Sequence, residues 1–197
     1  MTFATPKHLI LASLLPVVLA GCGGGGGSVS AIDEVIDDTA DFRTSFIQAD
    51  PTPIENMPRS GSASYSGVAA YAENDDIQFD DSGVTILNAS IVSDVTLETN
   101  FGTGDVTGDF SNFKAADGRV INGSLPLDEG KITDNFLTAD VDGTMRVDGD
   151  RNDIDARMAG VFLGERYNAI TGAFVGEMTS RSTGEVTTLN GIIGTER

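Results

Sequence analysis

Between Leu137 and Val147 the chain alternates without a break. Leu137, Ala139, Val141, Gly143, Met145 and Val147 form one set, and Thr138, Asp140, Asp142, Thr144 and Arg146 form the other. A period of two is the period of a β-strand, whose successive side chains point to opposite faces, so this stretch cannot be an amphipathic helix. Ala89 to Phe101 repeats the pattern more loosely, with Ala89, Ile91, Val95, Leu97 and Phe101 against Ser90, Asp94, Thr96, Glu98 and Asn100. Further strands are expected over Ser62–Ala72, Asp105–Phe113, Arg119–Leu125, Asp155–Gly164, Ala169–Met178 and Glu185–Ile193. That makes eight, with a weaker ninth near Gly83–Leu87.

The turn signals between these segments are Gly102-Thr-Gly104, Asp117-Gly118, Asp128-Glu-Gly130, Asp148-Gly149 and Thr183-Gly184. They are spaced for antiparallel hairpins, and nothing resembles the helical crossovers that parallel strands need. Gly67, Gly108, Gly143, Gly160, Gly172 and Gly191 fall inside the strands, where missing side chains permit sharp coiling. The expectation is an all-β domain over residues 58–197: an eight-stranded antiparallel β-barrel, closed and not a flat sandwich. Aromatic residues are few, Trp is absent, and Arg197 stands where membrane barrels commonly carry an aromatic residue. A soluble barrel with a filled core is therefore expected.

Residues 1–21 read as a removable leader: Lys7 and His8, then the apolar run Leu9 to Ala20. That run is too short to span a bilayer. It ends in Leu19, Ala20, Gly21 and Cys22, which resembles the bacterial lipobox and makes Cys22 the expected site of lipid attachment. The resemblance implies diacylglycerol on the sulfur and a third chain on the new amino terminus, enough for stable anchoring to a membrane. Gly23 follows the Cys where an Asp would favour the inner membrane, so an outer-membrane location is expected. Residues 22–30 are a Gly-rich tether, and Gly23 to Ser30 have a reach of about 16 Å. Residues 31–57 comprise one short amphipathic helix, Ala31–Gln48, and an extended connection marked by Pro51, Pro53 and Pro58.

Charge and residue usage exclude several functions. The chain carries −18, and loss of Lys7 with the leader takes it to −19, so no nucleic-acid partner is expected. The single His, His8, lies in the leader and the single Cys is the anchor. That leaves the processed chain without His or Cys ligands for zinc, without a His-dependent catalytic triad and without a disulfide framework.

Gly61-Ser-Ala63-Ser-Tyr65-Ser-Gly67 resembles the opening barrel strand of the transferrin-binding protein B family. Gly160-Val-Phe162-Leu-Gly164, then Ala169 and Gly172-Ala-Phe174, is similar to that family's closing pattern. Glu165 departs from the usual Pro, Thr171 from the first Gly of a pair, and the spacing to Ala169 is longer. The resemblance covers Gly61 to Arg197. It implies an eight-stranded barrel on a lipoprotein displayed at the cell surface, delivered there by an outer-membrane translocator. It also implies a non-catalytic role in binding a protein or small solute, with a link to iron or haem acquisition. Transferrin binding itself does not carry over, because the chain has room for one barrel only.

Asp148, Asp150 and Asn152, within the run to Asp155, have the oxygen-ligand spacing of a weak calcium candidate, but the EF-hand Gly and Glu are missing. Otherwise the run reads as a hairpin turn, and no metal or other cofactor is expected. Glu73, Asp75, Asp76, Asp80 and Asp81 read as a solubilising acidic loop. Tyr65, Tyr71 and Tyr167 read as wall or rim residues in preference to haem ligands, and Phe101, Phe110, Phe113, Phe162 and Phe174 as core. No carboxylate pair stands out for glycoside hydrolysis, so the chain reads as a non-enzyme. The alternatives are a structural envelope lipoprotein and a lipocalin-like carrier of an apolar ligand.

Overall fold

The computed structural model describes residues 49–73, 77–80, 83–86 and 89–197. The leader, the lipobox with Cys22, the tether and the helix expected over Ala31–Gln48 lie outside the described residues. Ten strands follow one 3-10 turn at Ile54–Asn56: β1 (Ser62–Glu73), β2 (Ile77–Asp80), β3 (Gly83–Ile86), β4 (Ile91–Asn100), β5 (Asp105–Ala115), β6 (Ile121–Thr133), β7 (Phe136–Val147), β8 (Asp150–Leu163), β9 (Ala169–Ser180) and β10 (Val186–Glu196). Eight of them close a barrel in the order β1-β10-β9-β8-β7-β6-β5-β4, every neighbour antiparallel. The ninth expected strand exists as β3, but it pairs with β2 as a separate hairpin outside the barrel order.

Alternation decides which face is inside. Leu137, Ala139, Val141 and Met145 are buried, while Thr138, Asp142 and Arg146 are exposed. A barrel that turns Asp, Glu, Thr and Arg outward and apolar side chains inward is built for water, since charges on a lipid-facing wall are costly. The interior is filled by side chains. Tyr71, Phe110 and Phe174 stack edge-on, with ring centroids 5.2 Å apart for Tyr71 and Phe174 and 5.7 Å for Phe110 and Phe174. Tyr65 and Phe101 meet Phe162 at 6.0 and 5.9 Å. Each large apolar side chain so buried contributes roughly 1.5–3 kcal/mol of transfer free energy.

Two boundaries differ from expectation. Asp128-Glu-Gly130 is not a turn: β6 runs on to Thr133, and the register slips between Asp128 and Lys131. Glu129 takes φ 51° there, and a Cβ on Gly130 would lie 2.2 Å from the Val106 carbonyl oxygen. The triplet therefore makes a β-bulge where β5 crosses closely, and the true turn is at Asp134 and Asn135. At the other end of β7, Asp148 (φ 50°) and Gly149 (φ 91°) form a two-residue turn with both φ positive. This is the hairpin geometry that suits strand twist, so β8 begins at Asp150, five residues before the expected Asp155.

Alternation fails at the end of β1, where Ala69, Ala70, Tyr71 and Ala72 are all buried. Ala70 and Ala72 point outward by register, and β3 approaches both β1 and β10.

Candidate functional site

The barrel has two unlike ends. At the near end the incoming chain is stapled to β8: Pro51 bridges Leu163, and the Thr52 amide donates to the Phe162 carbonyl at 2.7 Å. The Thr52 hydroxyl donates to the Gly164 carbonyl and the Asn135 side-chain amide donates to the Thr52 carbonyl, both at 2.7 Å. The last residue, Arg197, donates its amide to the Asn168 carbonyl at the same end. Entry and exit of the described chain thus share one rim.

The far end carries the β1–β4 excursion with its hairpin and the turns β5–β6, β7–β8 and β9–β10. Arg119 spans two of these connections. Its guanidinium donates to both Glu73 oxygens, to one of them at 2.9 Å, and its Nε donates to Asp117 at 2.7 Å. These bonds hold the Arg119 side chain protonated, and the backbone N–H of Arg119 leads in lowering the Asp117 carboxyl. Glu73, expected in a solubilising acidic loop, is instead half of a partly buried ion pair. The pair was not legible because 46 residues separate its members. Arg181 makes a second pair, with Nε and a terminal nitrogen on the two Asp153 oxygens at 2.7 and 2.6 Å, which lowers the Asp153 carboxyl. Val120 and Val186 stand exposed on this rim between the charged groups.

The calcium candidate does not converge. Asp148 uses its carboxylate to accept the Val120 amide at 2.9 Å, Asn152 turns into the core and donates to the Asp150 carbonyl, and Asp153 faces out to Arg181. A strand sends neighbours to opposite faces, so ligand spacing in sequence is lost in space. Among the described residues, no three His, Cys, Asp or Glu side chains gather as metal ligands.

The family-motif residues lie along the near half of the barrel and in its core. Ala63, Tyr65, Phe162, Ala169 and Phe174 are buried, and Tyr65 donates its hydroxyl to the Tyr167 carbonyl at 2.8 Å. Gly61 and Gly164 take positive φ in the connections before β1 and after β8. A Cβ would fall 2.0 Å from the Gly194 oxygen at Gly67, 2.3 Å from the Ala159 oxygen at Gly172, and 3.0 Å from the Thr171 oxygen at Gly160. These glycines let strands approach; they are packing residues. Tyr71 hydrogen-bonds Ser93 at 2.9 Å in the core, where burial raises its hydroxyl pKa and leaves it no open side for a haem iron.

A small closed antiparallel barrel with an apolar, aromatic core and long connections at one end defines a class of β-barrel module in which the wall is scaffold and the rim carries variation. Residues 57–197 match the family model described as the C-lobe and N-lobe β-barrels of Tf-binding protein B, and the chain belongs to that family. Similar solved structures include a mutant of the vaccine antigen transferrin binding protein B from Haemophilus parasuis Hp5, at 16% identity and TM-score 0.44, over 75% of this chain and 28% of that one. A double mutant of the same antigen has 15% identity and TM-score 0.43, with the same coverage. Intact Ap-TbpB, with N and C lobes, has 18% identity and TM-score 0.41, over 74% of this chain and 28% of that one. The chain thus spans little more than a quarter of the length of these proteins. No curated protein matches it.

Proposed function

We propose that this chain is an outer-membrane lipoprotein, anchored through Cys22 and facing the cell exterior, whose barrel is a non-catalytic module for binding a protein. The observation that carries the reading is the shared rim: Pro51 enters and Arg197 lies at the near end, so the far end is opposite the point where the chain joins the barrel. There the ion-paired Arg119 and Arg181 and the exposed Val120 and Val186 offer guanidinium, carboxylate and apolar contacts, the mixture that protein interfaces use. Iron or haem acquisition is the process this family membership favours. Delivery by an outer-membrane translocator belongs to the same reading. The packed aromatic interior favours a protein ligand over an apolar solute held inside.

The test has two arms. Labelled palmitate is expected to enter the wild-type chain and not Cys22→Ser, and protease added to intact cells is expected to remove the barrel. Immobilised Cys22→Ser protein is then offered iron-loaded transferrin, haemoglobin and spent growth medium. Protein capture that is lost on exchanging the 116–120 and 181–185 connections supports the far rim. Survival of the barrel on shaved cells assigns it to the inner face of the membrane and overturns surface display.

A further inference from the structure

The outer wall of β6 to β9 is graded along the barrel axis. Toward the near end, Phe136 pairs with Val161, and Thr138 with Ala159, which faces Ala173. Next comes Val175 across from Arg157, and here Thr138, Asp140, Arg157, Ala159, Ala173 and Val175 line a shallow hollow of about 480 Å³. Phe136, at the start of β7, is 57% exposed, and Val175, within β9, is 56% exposed, both outward apolar side chains open to solvent. The hollow is bordered by carboxylates placed directly opposite one another: Asp128 with Asp140, Asp142 with Asp155, and Asp155 with Glu177. Like charges facing each other across strands are unfavourable. Burial leads, and Asp155, Asp140 and Asp128 add, in raising the Asp142 carboxyl above its ordinary value. One guanidinium, that of Arg157, donates to Asp140 at 3.0 Å and leaves the other carboxylates uncompensated by any salt bridge among the described residues.

We infer that this wall is a docking surface for a cationic polypeptide segment that also carries apolar side chains. Charge complementarity selects the occupant: the apolar strip takes valine- or leucine-sized groups, and lysines or arginines between them relieve the facing carboxylates. The closed barrel has no free strand edge here, so recognition runs through side chains and not through added main-chain pairing. The residues 31–48 segment is itself acidic, and a second copy would bring an equally acidic wall; both are repelled. This surface is separate from the far rim.

Fluorescence anisotropy on the full chain tests it, with a labelled peptide alternating lysine and valine as the probe. Binding is expected, weakened about tenfold or more by Asp142→Asn/Asp155→Asn/Glu177→Gln and independently by Val175→Asp. Hydrogen exchange is expected to protect β7 to β9 on peptide addition. Neutralising the opposite wall, Asp94→Asn/Glu98→Gln/Asp109→Asn, is expected to change nothing, and oligolysine to bind at least about tenfold more weakly than the mixed peptide. Equal loss from both neutralised walls, equal affinity for oligolysine, or no binding overturns the inference. So does a dimer in sedimentation that Val175→Asp dissociates, or exposure of β7 to β9 amides on deletion of residues 31–48.

Discussion

Tyr71 lies directly across from Gly191 on the neighbouring strand, and a Cβ on Gly191 would stand 2.8 Å from the Tyr71 Cδ1. The glycine is the space that the ring occupies. This explains how a wall interrupted by inward glycines still encloses a filled core: aromatic side chains lie over the gaps. Gly191→Ala is expected to destabilise the barrel by about 1–3 kcal/mol, read as a lower urea midpoint at unchanged slope.

Asn135 and Thr52 clamp the entering chain to the barrel. Thr52 is fully buried, and its carbonyl accepts from Asn135. Asn135→Ala is expected to cost about 1–3 kcal/mol by leaving that carbonyl unpaired. Hydrogen exchange is expected to show faster loss of protection at the Thr52 amide than at β4 or β5 amides.

Tyr65 and Tyr71 both have hydroxyl pKa values raised, chiefly by burial. Their neutral forms are favoured by folding, so the stability they contribute is complete below the unfolded value of about 10 and is lost as pH climbs above it. Phenolate absorbance from these two side chains is expected to rise together with loss of the β-sheet circular dichroism. Ionisation in advance of unfolding contradicts the buried placement.

The Asp142 carboxyl is raised as well, so the same sign applies, now in the acid range. A raised folded value means stability is gained on protonation and lost as pH rises through it. Asp142→Asn is therefore expected to stabilise the protein at neutral pH by about 0.2–0.5 kcal/mol, an advantage that fades toward pH 4 and in high salt. Thermal unfolding across pH and salt checks it.

Much of the barrel is written in local pattern. The period-two runs located β1, β4, β7 and β9 to within about two residues, because burial on one face of a strand leaves its mark on each successive residue. Phe110, Phe113, Phe162 and Phe174 lie in the core as expected, since large apolar groups have few other places to go, while Phe101 packs half-buried against it. The side hairpin was half legible: Gly83 to Leu87 was visible, but Ile77–Asp80 sits among Asp75, Asp76, Asp80 and Asp81 and was read with the acidic loop. The bulge at Asp128-Glu-Gly130 was misread because Asp-x-Gly serves turns and bulges equally; only the neighbouring β5 backbone distinguishes them.

The sequence by itself determined an antiparallel all-β domain with one apolar face per strand, and excluded imidazole and thiol chemistry from its folded part. Which residues meet across that domain was decided only in three dimensions. Glu73 finds Arg119, and Asp142, Asp155 and Glu177 come to share one stretch of wall, through pairings whose partners are far apart in the chain. Strand alternation is a property of neighbours in sequence, whereas charge pairing depends on register and barrel closure, and these are set by the packing of the whole.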